Sequence, residues 1–143
     1  MRRLFAIGAV ALSAACGDST SPPPFPAVNG TYNITIEFDA FTASEARGTG
    51  QITFQQASRN EGTLTGSGNI TLIVGTESGT VSTVTNAAVD EDGSITFRIG
   101  NSSGTTFWGF DGQVTNGGAK MSGTHILTDG TDSFTGTWSA TRQ

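Results

Sequence analysis

The sequence predicts an all-β domain, specifically an eight-stranded antiparallel up-and-down β-barrel, and three observations carry that expectation. All four prolines fall at positions 22, 23, 24 and 26, so nothing beyond Asn29 interrupts a β-ladder. From there on, apolar residues alternate with Thr, Ser and Asn, the period of a strand with one buried face, and no helix-period pattern competes with it. Short Gly-, Asn- and Asp-rich turn signals divide the alternation into eight segments. Connections this short pair neighbours as antiparallel hairpins, and closure of the sheet on itself removes both free edges. A two-sheet β-sandwich satisfies the same alternation and stands as the alternative.

The segments follow in order. Tyr32, Ile34, Ile36 and Phe38 form the apolar face of the first, and Ile52 and Phe54 mark the second. Leu64, Ile70, Leu72 and Val74 are in phase on the third. A fourth covers residues 81–89, and Asp92-Gly93 turns it into a fifth bearing Ile95, Phe97 and Ile99. Trp108, Phe110 and Val114 share a face of the sixth, which ends at Asn116-Gly117-Gly118. Met121 and Leu127 belong to the seventh, and Phe134, Trp138 and Ala140 to the eighth. Leu64/Gly66, Phe110/Gly112, Met121/Gly123 and Phe134/Gly136 each place a bulky residue two positions before a glycine, hence on the same face. A glycine there lets a narrow barrel curve and accepts a facing side chain.

Gly30-Thr31-Tyr32 opens the first segment, and Gly136-Thr137-Trp138 with Arg142 closes the last. This pattern resembles the calycin group of small barrels (lipocalins, fatty-acid-binding proteins, avidins and barrel-type protease inhibitors). In lipocalins a Gly-x-Trp on the first strand packs against an arginine near the end of the last. Here Tyr32 takes the place of that Trp, and Trp138, Ala140 and Arg142 share a face. The resemblance implies that Trp138 and Arg142 close the barrel where its first and last strands meet.

The first residues have a different character. Met1-Arg2-Arg3 is a positive n-region, residues 4–12 are nine apolar residues, and Ser13-Ala14-Ala15 supplies small side chains. Nine residues rise only about 14 Å as a helix, short of the ~30 Å hydrocarbon core. Leu12-Ser13-Ala14-Ala15-Cys16 resembles the lipobox of bacterial lipoproteins, with its leucine four residues before the cysteine. That resemblance implies a diacylglycerol on Cys16, cleavage ahead of it and an acylated new N-terminus, which also accounts for the lone cysteine of an exported chain. Gly17 follows where an aspartate would signal inner-membrane retention, so the expected place is the outer membrane, on either of its faces. The expected organisation is a leader at 1–15, an acylated cysteine and Pro-rich tether at 16–28, and a barrel at 29–143. Pro22-Pro23-Pro24 stiffens the tether as polyproline II.

Charge excludes several functions. Without Arg2 and Arg3, five basic residues face twelve acidic ones, a balance that cannot neutralise phosphates, so no nucleic-acid partner is expected. Membrane attachment is expected from the lipid anchor alone. Gly100-Asn101-Ser102-Ser103-Gly104 matches the nucleophile-elbow string but lies between two strands, where that motif needs strand-then-helix context. Asp90-Glu91-Asp92-Gly93 offers too few oxygens for calcium and reads as a hairpin turn. His125 is the only histidine, so there is no second imidazole for a zinc pair or a proton relay. No enzymatic activity, metal or cofactor is expected.

Two functions remain. In one, the barrel holds a small apolar ligand, and His125, Trp108, Phe110 and Tyr32 are the candidate contacts, His125 being in phase with Met121 and Leu127. The alternative role for His125 is a hydrogen-bonded core residue. In the other, the aromatic residues fill the interior and loops or outer surface meet an envelope protein partner. A connected interior void of ~300 Å³ or more would favour the first, and a filled interior the second.

Overall fold

The computed structural model describes residues 24–100 and 107–143. The leader, Cys16, the tether up to Pro23 and most of the Gly/Ser loop at 100–104 lie outside the described residues. Eight strands form the barrel: β1 (Gly30–Phe38), β2 (Ala46–Gln56), β3 (Thr63–Val74), β4 (Glu77–Val89), β5 (Ser94–Gly100), β6 (Phe107–Thr115), β7 (Lys120–Asp129) and β8 (Asp132–Arg142). Each pairs with the next, and β8 returns to β1, giving a closed antiparallel up-and-down barrel. The expected fold class is therefore observed, and the sandwich alternative is not. An eight-stranded barrel of this kind fits the calycin-like architecture.

Register follows from the apolar phase. Tyr32 pairs with Arg142, Ile34 with Ala140 and Ile36 with Trp138 across the closing seam. A one-residue slip would turn every one of these side chains outward, so the buried face fixes the pairing. Two-residue turns join β3 to β4 and β7 to β8, with Gly75 and Gly130 at positive φ as such hairpins require. Only β4 departs from strict alternation. Its pairing slips against β3 and again against β5 between Thr85 and Ala88, and Asn86 adopts a φ of 50° there. The extra residue shifts the side-chain phase, so that Val84, three positions before Ala87, reaches the same interior as Ala87 and Val89.

Two ends result. The closed end gathers the β2–β3, β4–β5 and β6–β7 connections, and residues 25–28 lie across it as a strap. Val28 is completely buried and Phe25 packs on the core, so packed structure begins ahead of Asn29, inside the stretch assigned to the tether. Phe25 exchanges bonds with Arg59, N–H to carbonyl at 3.2 Å and guanidinium Nε to carbonyl at 3.0 Å. Among the described residues, the opposite end, the mouth, is bordered by the β1–β2 loop and the β3–β4 and β7–β8 turns, and the β5–β6 connection at the same end lies outside them.

Candidate functional site

The inward residues sort into layers along the barrel axis. An unbroken series of ring contacts starts at Tyr32 by the closed end and passes through Phe54 (6.1 Å between centroids), Phe97 (5.3 Å), Phe110 (4.6 Å), Trp108 (5.3 Å) and Phe38 (5.7 Å). It emerges at Phe41 in the mouth, 6.5 Å from Phe38. Glycine forms the wall beneath several of the inward rings. A Cβ on Gly112 would lie 2.6 Å from the Trp138 ring, and one on Gly136 would lie 2.6 Å from His125 Nε2. The paired bulky-residue and glycine pattern thus makes room for aromatic rings that pack directly on one another along the axis. Among the described residues, no buried side-chain nitrogen or oxygen lacks a hydrogen-bond partner.

Of the four candidate ligand contacts, three come together. Trp108, Phe110 and His125 lie within 6 Å of one another by ring centroid. They touch each other directly. His125 is only 3% exposed. Its Nδ1 accepts the Trp108 indole N–H at 2.9 Å, and its Nε2 faces the Glu37 carbonyl at 2.8 Å. Because an indole nitrogen only donates, Nδ1 must carry the lone pair and Nε2 the proton. The ring is thus neutral and fully engaged. Burial holds its pKa below the ordinary histidine value, opposed by the Glu37 carbonyl and the Asp39 carboxylate.

Tyr32 is not part of this group. It sits at the closed end, where its hydroxyl donates to the Gly118 carbonyl at 2.8 Å, with the Val28 carbonyl at 3.2 Å. Arg142 donates to the same hydroxyl from Nη2 at 2.7 Å and Nε at 3.1 Å, lies 5.3 Å from the ring centroid, and reaches the Ala27 carbonyl. Burial raises the Tyr32 pKa against the lowering pull of Arg142. Gly118, at a φ of 91°, allows the strap close passage, since a Cβ there would collide with the Ala27 carbonyl. Arg142 thus covers Tyr32 where β1 and β8 meet, and Trp138 lies elsewhere along the axis. Trp138 pairs with Ile36 and Gly123 nearer mid-barrel, donates to the Asp111 carbonyl at 3.1 Å and packs on Phe97 at 5.2 Å. Four residues of strand separate Trp138 from Arg142, a rise of roughly 13 Å, too far for one to cover the other.

The grooves lie on the outer wall. One of about 320 Å³ crosses β5, β6 and β7, lined by Thr96, Arg98, Phe107, Gly109, Asp111 and Ile126 among others. Another, of about 520 Å³, runs beside Asn29, Gln55, Glu61 and Thr65. The first also touches Phe97 and Phe110, whose rings belong to the buried core.

The mouth exposes two apolar residues that were not among the candidate contacts. Phe41 is 37% exposed and Val74 48%. Val74 was visible as the last in-phase residue of β3. Phe41 stood in a polar loop with no period to place it. That loop is ordered by a Thr42-x-x-Glu45 box, in which the Glu45 carboxylate accepts from the Thr42 N–H and hydroxyl at 2.8 Å each. Those bonds hold the Glu45 pKa below its ordinary value. The described residues hold no cluster of three metal-ligating side chains. Comparison with known proteins finds no matching family model, no matching curated protein and no matching solved structure.

Proposed function

We propose that this protein is a lipid-anchored envelope barrel that works by surface contact with another macromolecule and carries no small molecule inside. The observation supporting this is the ring series from Tyr32 to Phe41, which occupies the axis where a calycin ligand would lie. An apolar guest would have to displace Trp108, Phe110 or Phe97, each 2% exposed or less and each packed on other rings. The ligand-carrying reading, which the resemblance suggested, becomes the lesser one. The sole histidine is occupied by Trp108 and Glu37, which leaves it no free ring nitrogen to offer a substrate.

The lipobox-like Leu12–Cys16 stretch supports the anchor part of the proposal, and Gly17 in place of an aspartate supports the outer membrane as its site. Two experiments test the two halves. Mass spectrometry of the native protein should find acyl chains on an N-terminal Cys16, and Cys16→Ser should release the chain from the membrane fraction. Titration with a fluorescent fatty acid should give no saturable signal. Saturable uptake quenched through Trp108 would return the protein to the ligand carriers.

A further inference from the structure

We infer that the mouth rim is a docking surface for a cationic segment of a partner protein with apolar side chains at its centre, an inference that rests on the surface-contact reading above. The rim is apolar at its middle. Phe41 and Val74 are exposed, and Phe134, Leu72 and Val81 are only partly buried beside the core. Phe41 lies 5.8 Å from Phe134, so the aromatic surface is continuous.

This surface is held in place. Asp39 N–H donates to the Thr135 carbonyl at 2.9 Å, and Thr135 Oγ1 donates to the Asp39 carboxylate at 3.0 Å. Gly75 N–H donates to the Glu45 carbonyl at 2.6 Å, joining the Phe41 loop to the turn that follows Val74. Exposed apolar side chains on a braced rim are ready for contact without an ordering cost.

Charge selects the occupant. Glu37, Asp39, Glu45, Glu77 and Asp132 all stand exposed around the mouth. The nearby Arg47 directs its guanidinium to the Ala43 carbonyl at 2.8 Å. A second copy meeting mouth to mouth would set these carboxylates against themselves, and an anionic lipid surface would be repelled. A cationic segment gains from the same ring while its apolar side chains cover Phe41 and Val74. The strap crosses the barrel at the end opposite the mouth, where Phe25 meets Arg59.

The probe is a twelve-residue peptide of alternating lysine and leucine, titrated into the full lipidated chain in non-ionic detergent, with empty micelles as the blank. Two control peptides replace every lysine by glutamate or every leucine by serine. Backbone amide NMR shifts at residues 39–45 and 74–77 should saturate with the lysine–leucine peptide, weaken with salt and stay small with both controls. The Phe41→Ser/Val74→Ser pair should weaken binding by about tenfold or more, as loss of central contacts does. The charge-reversed Glu77→Lys/Asp132→Lys chain should weaken it while leaving the rim side chains intact. Near-UV circular dichroism matching the parent certifies that each variant is folded. Equal binding of either control, no loss in the variants, or no saturable shift would overturn the inference. So would self-association abolished by the same variants, which would assign the rim to a second copy. The fatty-acid titration separates the two levels: uptake overturns the surface-contact reading itself, whereas no uptake and no peptide binding overturns the rim assignment alone.

Discussion

His125 engages both ring nitrogens inside the protein, and a proton on Nδ1 would point at the Trp108 N–H that now donates to it. The unfolded chain binds that proton near the ordinary value of 6.5, more readily than the folded one, whose value burial lowers. The histidine's contribution to stability is therefore complete above that value and is lost as pH falls from there through the folded value. Denaturant midpoints should decline below about pH 6.5, and His125→Phe should remove that limb, measured by Trp fluorescence. Glu45 and Asp92, both held low by hydrogen bonds, keep their contribution above their ordinary values of 4.5 and 3.8 and lose it only in stronger acid. The two acid limbs are thus separable. Trp138→Ala removes a 3%-exposed ring from mid-barrel and should cost about 3–5 kcal/mol in chemical denaturation. Arg142→Ala loses hydrogen bonds from a charged donor to Tyr32 and Ala27 and should cost about 1–3 kcal/mol, less than the tryptophan. A reversal of that order would mean that the closed end, not the ring series, dominates stability.

At the scale of elements, the strap has a measurable worth. A chain beginning at Asn29 lacks Phe25, the wholly buried Val28 and the carbonyl that Arg142 grips. It should be less stable than one beginning at Pro24 by about 2–4 kcal/mol in parallel urea melts, from apolar burial and the lost bonds. Equal stabilities would show the strap to be a passive covering. The strap also shows where sequence reading stops. Phe25 and Val28 sit among prolines, with no alternation to mark them, and only the three-dimensional closed end gives them a partner. Strands β1, β5 and β8 were legible because period-two alternation runs through them unbroken. Strand β4 was legible only in outline. Val81, Val84, Ala87 and Val89 are spaced by three, three and two, a rhythm that makes sense once the bulge at Asn86 and the register shift against β3 between Ser67 and Ile70 are in place. The Tyr32–Arg142 contact was readable because first and last strands must meet in a closed barrel. The partnership of Trp138 with Arg142 was not, since sharing a face says nothing about height along the axis. Likewise, the inward phase of His125 was plain, but its bond to the Glu37 carbonyl depends on Gly136 of the intervening strand, which no local pattern reveals.

Taken whole, the barrel turns most of its described aromatic residues inward and leaves Phe41 exposed at the mouth. Composition foretold enough rings to fill the barrel, but whether they would line a chamber or meet in the middle depended on the glycines opposite them. The closing seam carries a further consequence, and it concerns time. Seven of the eight pairings join consecutive strands, whereas β8 must find β1 across 110 residues, Tyr32 to Arg142. Hairpins form in microseconds, while the seam pairing must overcome a loop-closure entropy that every intermediate hairpin has to reduce first. Seam contacts should accordingly form after the rate-limiting barrier. In stopped-flow chevrons Arg142→Ala should steepen nothing and slow refolding little, but should raise the unfolding rate by nearly its whole equilibrium effect. The barrel would then open at the place where it last closed, with β1 and β8 parting while the five hairpins from β2 to β7 still hold their register.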